Sequence, residues 1–453
     1  MKLTFWGAAR KVTGSMYLLE SLGYKILIDC GSDFSEKHKV VSGGLFPFEA
    51  SDIDLVILTH AHVDHSGNIP SLIRSGYRGQ ILSTAPTAEL SELLFADSAH
   101  IQRAEKKIAN SAPSDYSYKP VDRFIPIAFD KDFEVNESIT VRLTPVGHIL
   151  GAASVFIKIK EEGKTKSILF SGDIGRDNYP LLPDPAPSPQ ADYILCETTY
   201  GNRVHKETEP AEELVKRIVT EACVDKPGRL IIPAFSLGRT QSLLYTLNKL
   251  ALKNELPPIK VFTDSALAAE GTNIYSKYHT LMNEEALEIK KQDDSLFDFE
   301  NLDHIKTFKE SKNISNYLKP CIILSSSGMI TGGRIQHHIR QNLQNPYCTI
   351  LLVGYAVEGT IGHDLLAGKQ TIRFKKRSIP VSAKIIYTDI FSGHTDKNGL
   401  LKFISHQDKA KLKKIFLVHG EYQSMQDFSQ TLKENGYTDI DIELPDYGQM
   451  YEL

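Results

Sequence analysis

The stretch Asp54-Leu55-Val56-Ile57-Leu58-Thr59-His60-Ala61-His62-Val63-Asp64-His65 decides how this chain is to be read. Its apolar run at 55–58 spells a buried strand, and the polar residues behind it mark the strand's end. His60 and His62 are two apart, so an extended backbone points both the same way. Asp64 and His65 follow where the chain should turn into a helix, which aims them at a neighbouring point. Three imidazoles and a carboxylate within six residues suit zinc or a similar borderline cation. A surface histidine cluster without metal is the plainer alternative. Four ligands on a strand-to-helix junction argue against it.

Outward from this stretch the same pattern recurs. Lys25 to Ile28 runs into Asp29, Ile139 to Val146 into Gly147-His148, and Ser167 to Phe170 into Ser171-Gly172-Asp173. Tyr193 to Leu195 leads to Cys196-Glu197, Lys384 to Ile390 to Phe391-Ser392-Gly393-His394, and Ile415 to Val418 to His419-Gly420-Glu421. In an α/β fold, positions just past strand ends gather at one edge of a sheet, where ligands bind. A single histidine after a strand is weak evidence. Taken with the first cluster, His148, Asp173 and His419 complete two coordination shells. Asp173 is the natural bridge, since one carboxylate can bind two ions through its two oxygens. Asp29 reads as the group that orients a ligating histidine from behind.

His60-Ala61-His62-Val63-Asp64-His65, with His148 and Asp173, resembles the metallo-β-lactamase superfamily. Gly7-Ala8-Ala9-Arg10-Lys11-Val12-Thr13-Gly14-Ser15, Glu197-Thr198-Thr199-Tyr200-Gly201, Phe391-Ser392-Gly393-His394-Thr395-Asp396 and Val418-His419-Gly420-Glu421 narrow the resemblance to the β-CASP ribonucleases. Within these the chain is most similar to the endonuclease subunit of the eukaryotic cleavage and polyadenylation factor and to its bacterial homologues, along almost its whole length. The resemblance implies an α/β fold: a metallo-β-lactamase αββα sandwich with an inserted β-CASP α/β domain. It also implies that His60, His62, His148 and Asp173 hold one Zn2+ and that Asp64, His65, Asp173 and His419 hold a second, two per chain. Glu197, His394 and His419 match the family's motifs A, B and C. No metal-binding position of the pattern is missing.

From about Gly201 to Thr371 none of these clusters occurs, yet strands and helices keep alternating. Site residues flank this segment, so it reads as an insertion. The expected division is 1–200 for the first part of the metal domain, 201–371 for the insert and 372–453 for the return. Pro180 to Gln190, with five prolines, is a rigid loop leading toward the insert, and Lys290 to Glu300 reads as a solvated face. Three strand-to-helix junctions are rich in glycine and hydroxyls: Pro233 to Gln241, Ser325 to Arg334 and Gly354 to Gly362. Helix N-termini of this kind bind phosphate, and Arg239 and Arg334 can add bidentate contacts. Ordinary turn chemistry explains such glycines about as well. The resemblance to β-CASP nucleic-acid-binding loops favours backbone phosphate contact by Ser236, Gly238, Arg239, Ser327, Gly328, Arg334, Gly359 and Thr360. The basic runs Arg373 to Arg377 and Lys409, Lys411, Lys413, Lys414 read as solvated surface, the second spaced like an exposed helix face. His337-His338 reads as structural.

Composition sets the outer limits. The 453 residues allow two or three domains, and 41% hydrophobic against 24% charged content is globular. A net charge of −4 advertises no global basic field, although a cleft can be locally positive and bound metal adds charge that the count omits. No apolar run approaches the roughly 20 residues that span a bilayer. Arg10 and Lys11 arrive too early for a signal peptide, and five scattered cysteines form no framework, so a cytoplasmic, reduced protein is expected. The expected function is zinc-dependent hydrolysis of single-stranded RNA through a two-metal-activated hydroxide, giving 5′-phosphate and 3′-hydroxyl ends. Asp64, Glu197 and His394 are the catalytic candidates, with His394 as general acid and Glu197 its partner. A DNA nuclease on the same fold and a non-catalytic RNA-binding subunit of a processing complex are the competing readings. Endonuclease and exonuclease modes both remain open, as does a homodimer.

Overall fold

The computed structural model describes residues 1–33, 46–108, 120–161, 163–206, 209–354, 356–374 and 377–453, the side chains of 102–108 excepted. It divides into two compact units. The first comprises Met1–Asp177, Asp184–Val204 and His394–Leu453; the second comprises Asn178–Pro183 and His205–Gly393.

Alternating apolar residues in the first unit build two seven-stranded mixed sheets. The first sheet runs, edge to edge, through Met450–Glu452, Lys2–Phe5, Tyr17–Ser21, Tyr24–Ile28, Leu55–Ile57, Gln80–Ser83 and Phe124–Pro126. The second runs through Asp441–Glu443, Lys414–Val418, Tyr193–Glu197, Lys164–Phe170, Ala153–Glu161, Ile139–Pro145 and Asp132–Glu134. Period-two side-chain placement sends Leu3, Phe5, Ile26, Ile28, Leu55 and Ile57 of the first sheet into one core. There they meet Val141, Leu143, Val155, Ile157, Phe170 and Val418 of the second. The intervening residues Leu18, Leu27 and Val56 point the other way, onto Ile69, Leu72 and Ile73 of the helix Ile69–Arg74. The helix Tyr422–Glu434 contacts the strand Lys414–Val418 and buries Met425, Phe428 and Leu432. This is the αββα layering. Each fully buried Leu, Ile or Phe contributes about 1.5–3 kcal/mol, so the central seam dominates the unit's stability.

The second unit is a six-stranded sheet in which every described pair is parallel. Its order is Leu302–His304, Lys260–Asp264, Cys321–Ser325, Arg229–Pro233, Cys348–Val353 and Lys384–Thr388. Such a sheet is covered on both faces. Leu230, Ile232, Ile322 and Leu324 pack on Leu243, Leu247 and Leu250 of the helix Arg239–Leu252. Ile231 and Ile323 pack on Ile335 and Ile339 of the helix Ile335–Asn342. The helices that follow two adjacent strands, Arg229–Pro233 and Cys321–Ser325, therefore leave on opposite faces. That is the switch point at which open α/β sheets bind ligands, and the loops 234–238 and 326–334 sit there.

Several details differ from the sequence reading. The chain re-enters the first unit at His394, later than 372, because Lys384–Thr388 lies parallel to Cys348–Val353 and closes the insert's sheet. From the proline-rich loop, Asn178–Pro183 belongs to the second unit, tied by Ser242 Oγ to the Pro180 carbonyl and by Asn283 N–H to that of Leu181. Lys409 to Lys413 form a turn, not a helix, and Lys414 opens a strand. Their spacing reflects ion pairing instead: Lys413 meets Asp192 at 2.8 Å, and Lys414 meets Asp441 and Glu443. Within the expected solvated face Lys290 to Glu300, Leu296 and Phe297 are buried. Arg373 and Arg377 belong to a two-stranded hairpin, while Lys375 and Lys376 lie outside the described residues, as does Tyr355. All five cysteines are buried free thiols. Among the described residues no helix is long and apolar enough to cross a membrane.

Candidate metal centre

The expected single sheet edge is in fact the meeting of two. The strand Tyr24–Ile28 ends at Asp29 and Leu55–Ile57 ends at His60, both in the first sheet. Ile139–Pro145, Lys164–Phe170, Tyr193–Glu197 and Lys414–Val418 deliver His148, Asp173, Glu197 and His419 from the second. His394 follows a strand of the other unit, yet it belongs to the first unit and joins the same cluster.

Local backbone bonds hold the first loop. The four-residue helix Val63–Ser66 starts directly after His62. It is pinned by Cys30 N–H to the His65 carbonyl at 2.7 Å, Ser32 N–H to that of Val63 and Ser15 N–H to that of Asp64. Gly31 is required there, since a Cβ would lie 1.6 Å from the Asp64 carbonyl oxygen.

Ligand-capable atoms converge in three groups: His60, His62, His148 and Asp173; Asp64, His65 and His419; and Asp173, Glu197 and His394. Asp173 stands at the centre. Its Oδ2 lies 3.4 Å from His60 Nε2, 3.5 Å from His148 Nε2 and 3.8 Å from His394 Nε2. Its Oδ1 lies 3.2 Å from His65 Nε2 and 3.6 Å from His419 Nδ1. Ring nitrogens also face one another, His62 Nδ1 to His148 Nε2 at 3.0 Å and His65 Nε2 to His419 Nε2 at 3.3 Å. Asp64 Oδ2 is 3.6 Å from His419 Nε2.

Behind the rings a second set of groups fixes their orientation. Asp29 accepts the Thr59 N–H at 2.8 Å and the Thr59 hydroxyl at 2.9 Å, and its Oδ2 lies 2.7 Å from His65 Nδ1. The Thr59 hydroxyl also touches His60 Nδ1 at 3.1 Å, and Thr199 Oγ1 touches His419 Nδ1 at 3.1 Å. Sequence reasoning assigned Thr59 and Thr199 no role, and their only signal was a hydroxyl beside a ligand candidate. Glu197 is 1% exposed and accepts the N–H groups of Ile174 and Thr199. Its two oxygens lie 3.0 and 3.2 Å from His394 Nδ1.

The electrostatics suit a cation. Burial pushes the His60 and His62 imidazoles down, His62 to about 4, so both offer neutral lone pairs. Burial alone would raise the Asp173 carboxyl, but the charges of neighbouring imidazoles, His419 and His65 first, outweigh it and hold it well below the usual range. Asp64 behaves likewise, lowered by His419 and His65 against its burial. Burial would also lower His65, yet the carboxylates of Asp173 and Asp29 raise it. His60 Nε2 and Asp173 Oδ1 are buried without a hydrogen-bond partner. Orphaned polar atoms of this kind cost about 1–3 kcal/mol each, a cost that a bound cation removes. Nitrogen and carboxylate donors in this number suit zinc.

The expected phosphate-contacting residues all lie in the second unit. Ser236 Oγ meets Ser326 Oγ at 2.7 Å, and Gly328 packs against the Phe235 ring. Arg239, half-buried, sits over Phe235 with its guanidinium carbon 4.6 Å from the ring centre. Ser327 Oγ accepts the Thr331 N–H, Thr360 caps the helix Ile361–Leu366, and Gly359 faces open space. Arg334 departs from expectation, since its guanidinium is bound to Asp264 at 2.8 Å and to the carbonyls of Ile305 and Lys306.

Comparison with known proteins gives concordant matches. Residues 9–211 match the metallo-beta-lactamase superfamily, 240–365 the Beta-Casp domain, and 378–445 the Zn-dependent metallo-hydrolase RNA specificity domain. The chain is 30% identical over 427 residues to Ribonuclease TTHA0252 of Thermus thermophilus, covering 94% of each. It is 31% identical to the transcription termination factor FttA of Methanocaldococcus jannaschii, over 96% of this chain and 69% of that one. It is 28% identical to cleavage and polyadenylation specificity factor subunit 3 of Dictyostelium discoideum, over 95% of this chain and 55% of the relative. A crystal structure of a protein of unknown function from Enterococcus faecalis shares the fold, with a TM-score of 0.56 at 16% identity over 100% of this chain and 99% of that one.

Proposed function

The chain belongs to the β-CASP family of the metallo-β-lactamase superfamily, and from that premise we propose that it is a zinc-dependent ribonuclease acting on single-stranded RNA. The observation that carries this reading is the full donor set gathered on one buried carboxylate, Asp173, with the His394–Glu197 pair beside it. His60, His62, His148 and Asp173 would hold one ion, and Asp64, His65, Asp173 and His419 a second. Zinc bound there supplies positive charge against a phosphodiester and makes water acidic enough to attack near neutral pH.

The chain's own groups do the rest. Asp29 and Thr59 orient His65 and His60, so that their Nε2 atoms face Asp173. Glu197 accepts the His394 Nδ1–H and fixes the ring, leaving Nε2 as the atom that would protonate the departing 3′ oxygen. The products then carry 5′-phosphate and 3′-hydroxyl ends. The match of residues 378–445 to an RNA specificity domain favours RNA over DNA. The complete donor set counts against a catalytically silent subunit. In the insert, Ser236, Gly238, Arg239, Ser327, Gly328, Gly359 and Thr360 serve as the phosphate-contacting loops at the switch point. Arg334 shapes the second of these loops through Asp264 rather than touching phosphate.

The direct test is incubation of zinc-loaded protein with end-labelled single-stranded RNA and DNA of equal sequence. RNA should be cut, DNA much more slowly, and chelation should stop both. Product lengths then separate internal from terminal cleavage. RNA cleavage that survives removal of metal, or DNA cut as fast as RNA, would sink this reading. A second expectation concerns the insert. Arg239→Ala should weaken RNA binding and lower the salt slope by about 0.7, the contribution of one single-strand phosphate contact. An unchanged affinity across a salt titration would remove Arg239 from the substrate path.

A further inference from the structure

Resting on the single-stranded RNA reading, we infer that a second RNA-binding surface lies on the insert, with Phe308 as a base-stacking platform flanked by Lys306, Lys309, Lys312 and Arg340.

The argument starts from charge. The segment His304 to Lys319 carries four lysines against one glutamate, in a chain whose net charge is −4. That glutamate stays ionised, held so by backbone N–H groups, and four lysines less one glutamate leave the segment a net charge of +3. Glu310 Oε2 accepts the N–H groups of Lys306 and Thr307 at 2.9 and 3.0 Å, while Thr307 Oγ1 accepts the Glu310 N–H, forming a capping box. The four lysines are exposed, and among the described residues none of them forms an ion pair, although Glu310 lies within electrostatic reach of Lys306.

The helix Phe308–Asn313 has two unlike sides. Ser311 is buried and donates to Asp264 Oδ2 at 2.5 Å, and Ile314 just beyond is also buried. This anchors the helix to the strand end that also grips Arg334 and His338. Phe308, Lys309 and Lys312 are left outside. Phe308 is 52% exposed, which is far more than a core phenylalanine needs. Lys312 Nζ sits 4.8 Å from its ring centre, and the His337 ring meets it edge-on at 6.4 Å. Arg340 lies one turn beyond His337 on the same helix. Burial lowers His337, and the charges of His338, Arg340 and Lys312 lower it further while the Asp264 carboxylate raises it.

Exposed aromatic faces interleaved with an excess of cations are what a single strand recognises: bases stack on the ring and phosphates meet the cations. An isolated exposed phenylalanine would be ordinary surface. The excess positive charge and the anchoring of Ser311 to Asp264 at the carboxyl edge of the insert's sheet distinguish this one. A folded acidic protein would need a larger apolar patch than the two rings provide.

The test compares kcat/KM for a strand of about 25 nucleotides with that for one of about 6, using the full zinc-loaded chain. Phe308→Ala should raise KM on the long strand by about tenfold, within the range one stacked base contributes, and leave kcat and the short strand unchanged. Phe308→Trp should keep wild-type values. Lys309→Ala/Lys312→Ala should flatten the salt dependence on the long strand by about 1.4, two phosphate contacts at about 0.7 each. An active enzyme whose variants treat both strands as the wild type does overturns this surface alone, and assigns the patch to something other than RNA, such as an acidic protein. A wild type inactive on both strands overturns the ribonuclease reading, and this surface with it.

Discussion

His394→Ala should keep its zinc and its RNA affinity while losing a factor of about 10²–10⁴ in cleavage rate, the typical contribution of a general acid. The expectation follows from the two nitrogens of the ring. Nδ1 is held by both oxygens of Glu197, and Nε2 reaches toward the metal-facing carboxylate at 3.8 Å, the longest of the three Asp173 Oδ2 contacts to imidazole. A ligand would sit closer to the cage; a proton donor needs to stand at its rim. A substrate with sulfur in place of the 3′ oxygen needs no proton on its leaving atom, so it should recover much of the lost rate. His419→Ala should behave oppositely, losing metal and gaining nothing from sulfur. The assignment fails if His394→Ala is depleted of zinc, or if it cuts the thio-substrate no faster than the normal one.

Asp173→Ala should be the most damaging single change at the centre. Its two oxygens face different imidazoles, Oδ2 those of His60 and His148 and Oδ1 those of His65 and His419. Loss of an outer hydrogen-bond partner typically costs 10–100-fold in metal affinity, and a carboxylate shared by two ions should cost more at both. Cleavage should fall by more than it does in His394→Ala. Elemental analysis of the purified variant is the check, and two full zinc equivalents would refute the bridging role.

The local chemistry of the centre was legible in the residues, because two-residue spacing after an apolar run fixes side-chain direction without tertiary information. His60, His62, Asp64 and His65 could be read that way, and strand ends elsewhere pointed to His148, Asp173 and His419. Strand pairing is a long-range property, so which sheet each end belongs to could not be read. One sheet edge was expected where two meet, and the strand before His394 turned out to close the insert's sheet, moving the return of the chain from 372 to 394. Arg334 shows the same boundary. A guanidinium after a glycine-rich turn looks free to hold phosphate, and only the fold reveals that Asp264, 70 residues away, already occupies it. The lysines at 409–414 mimic a helical spacing, whereas their carboxylate partners Asp192, Asp441 and Glu443 lie on other strands and in other segments.

The placement of donors on both sheets has a thermodynamic side. His60, His62, Asp64 and His65 ride on the first sheet, and His148, Asp173 and His419 on the second, so each proposed ion would draw on ligands from both layers. Ions bound across that seam act as rivets. Any ligand that binds only the folded chain stabilises it by RT ln(1 + [L]/Kd), about 2.7 kcal/mol at a hundredfold excess over Kd. Metal supply would then set how firmly the two layers of the sandwich are closed on each other, and resistance to unfolding would follow the same element that drives the chemistry.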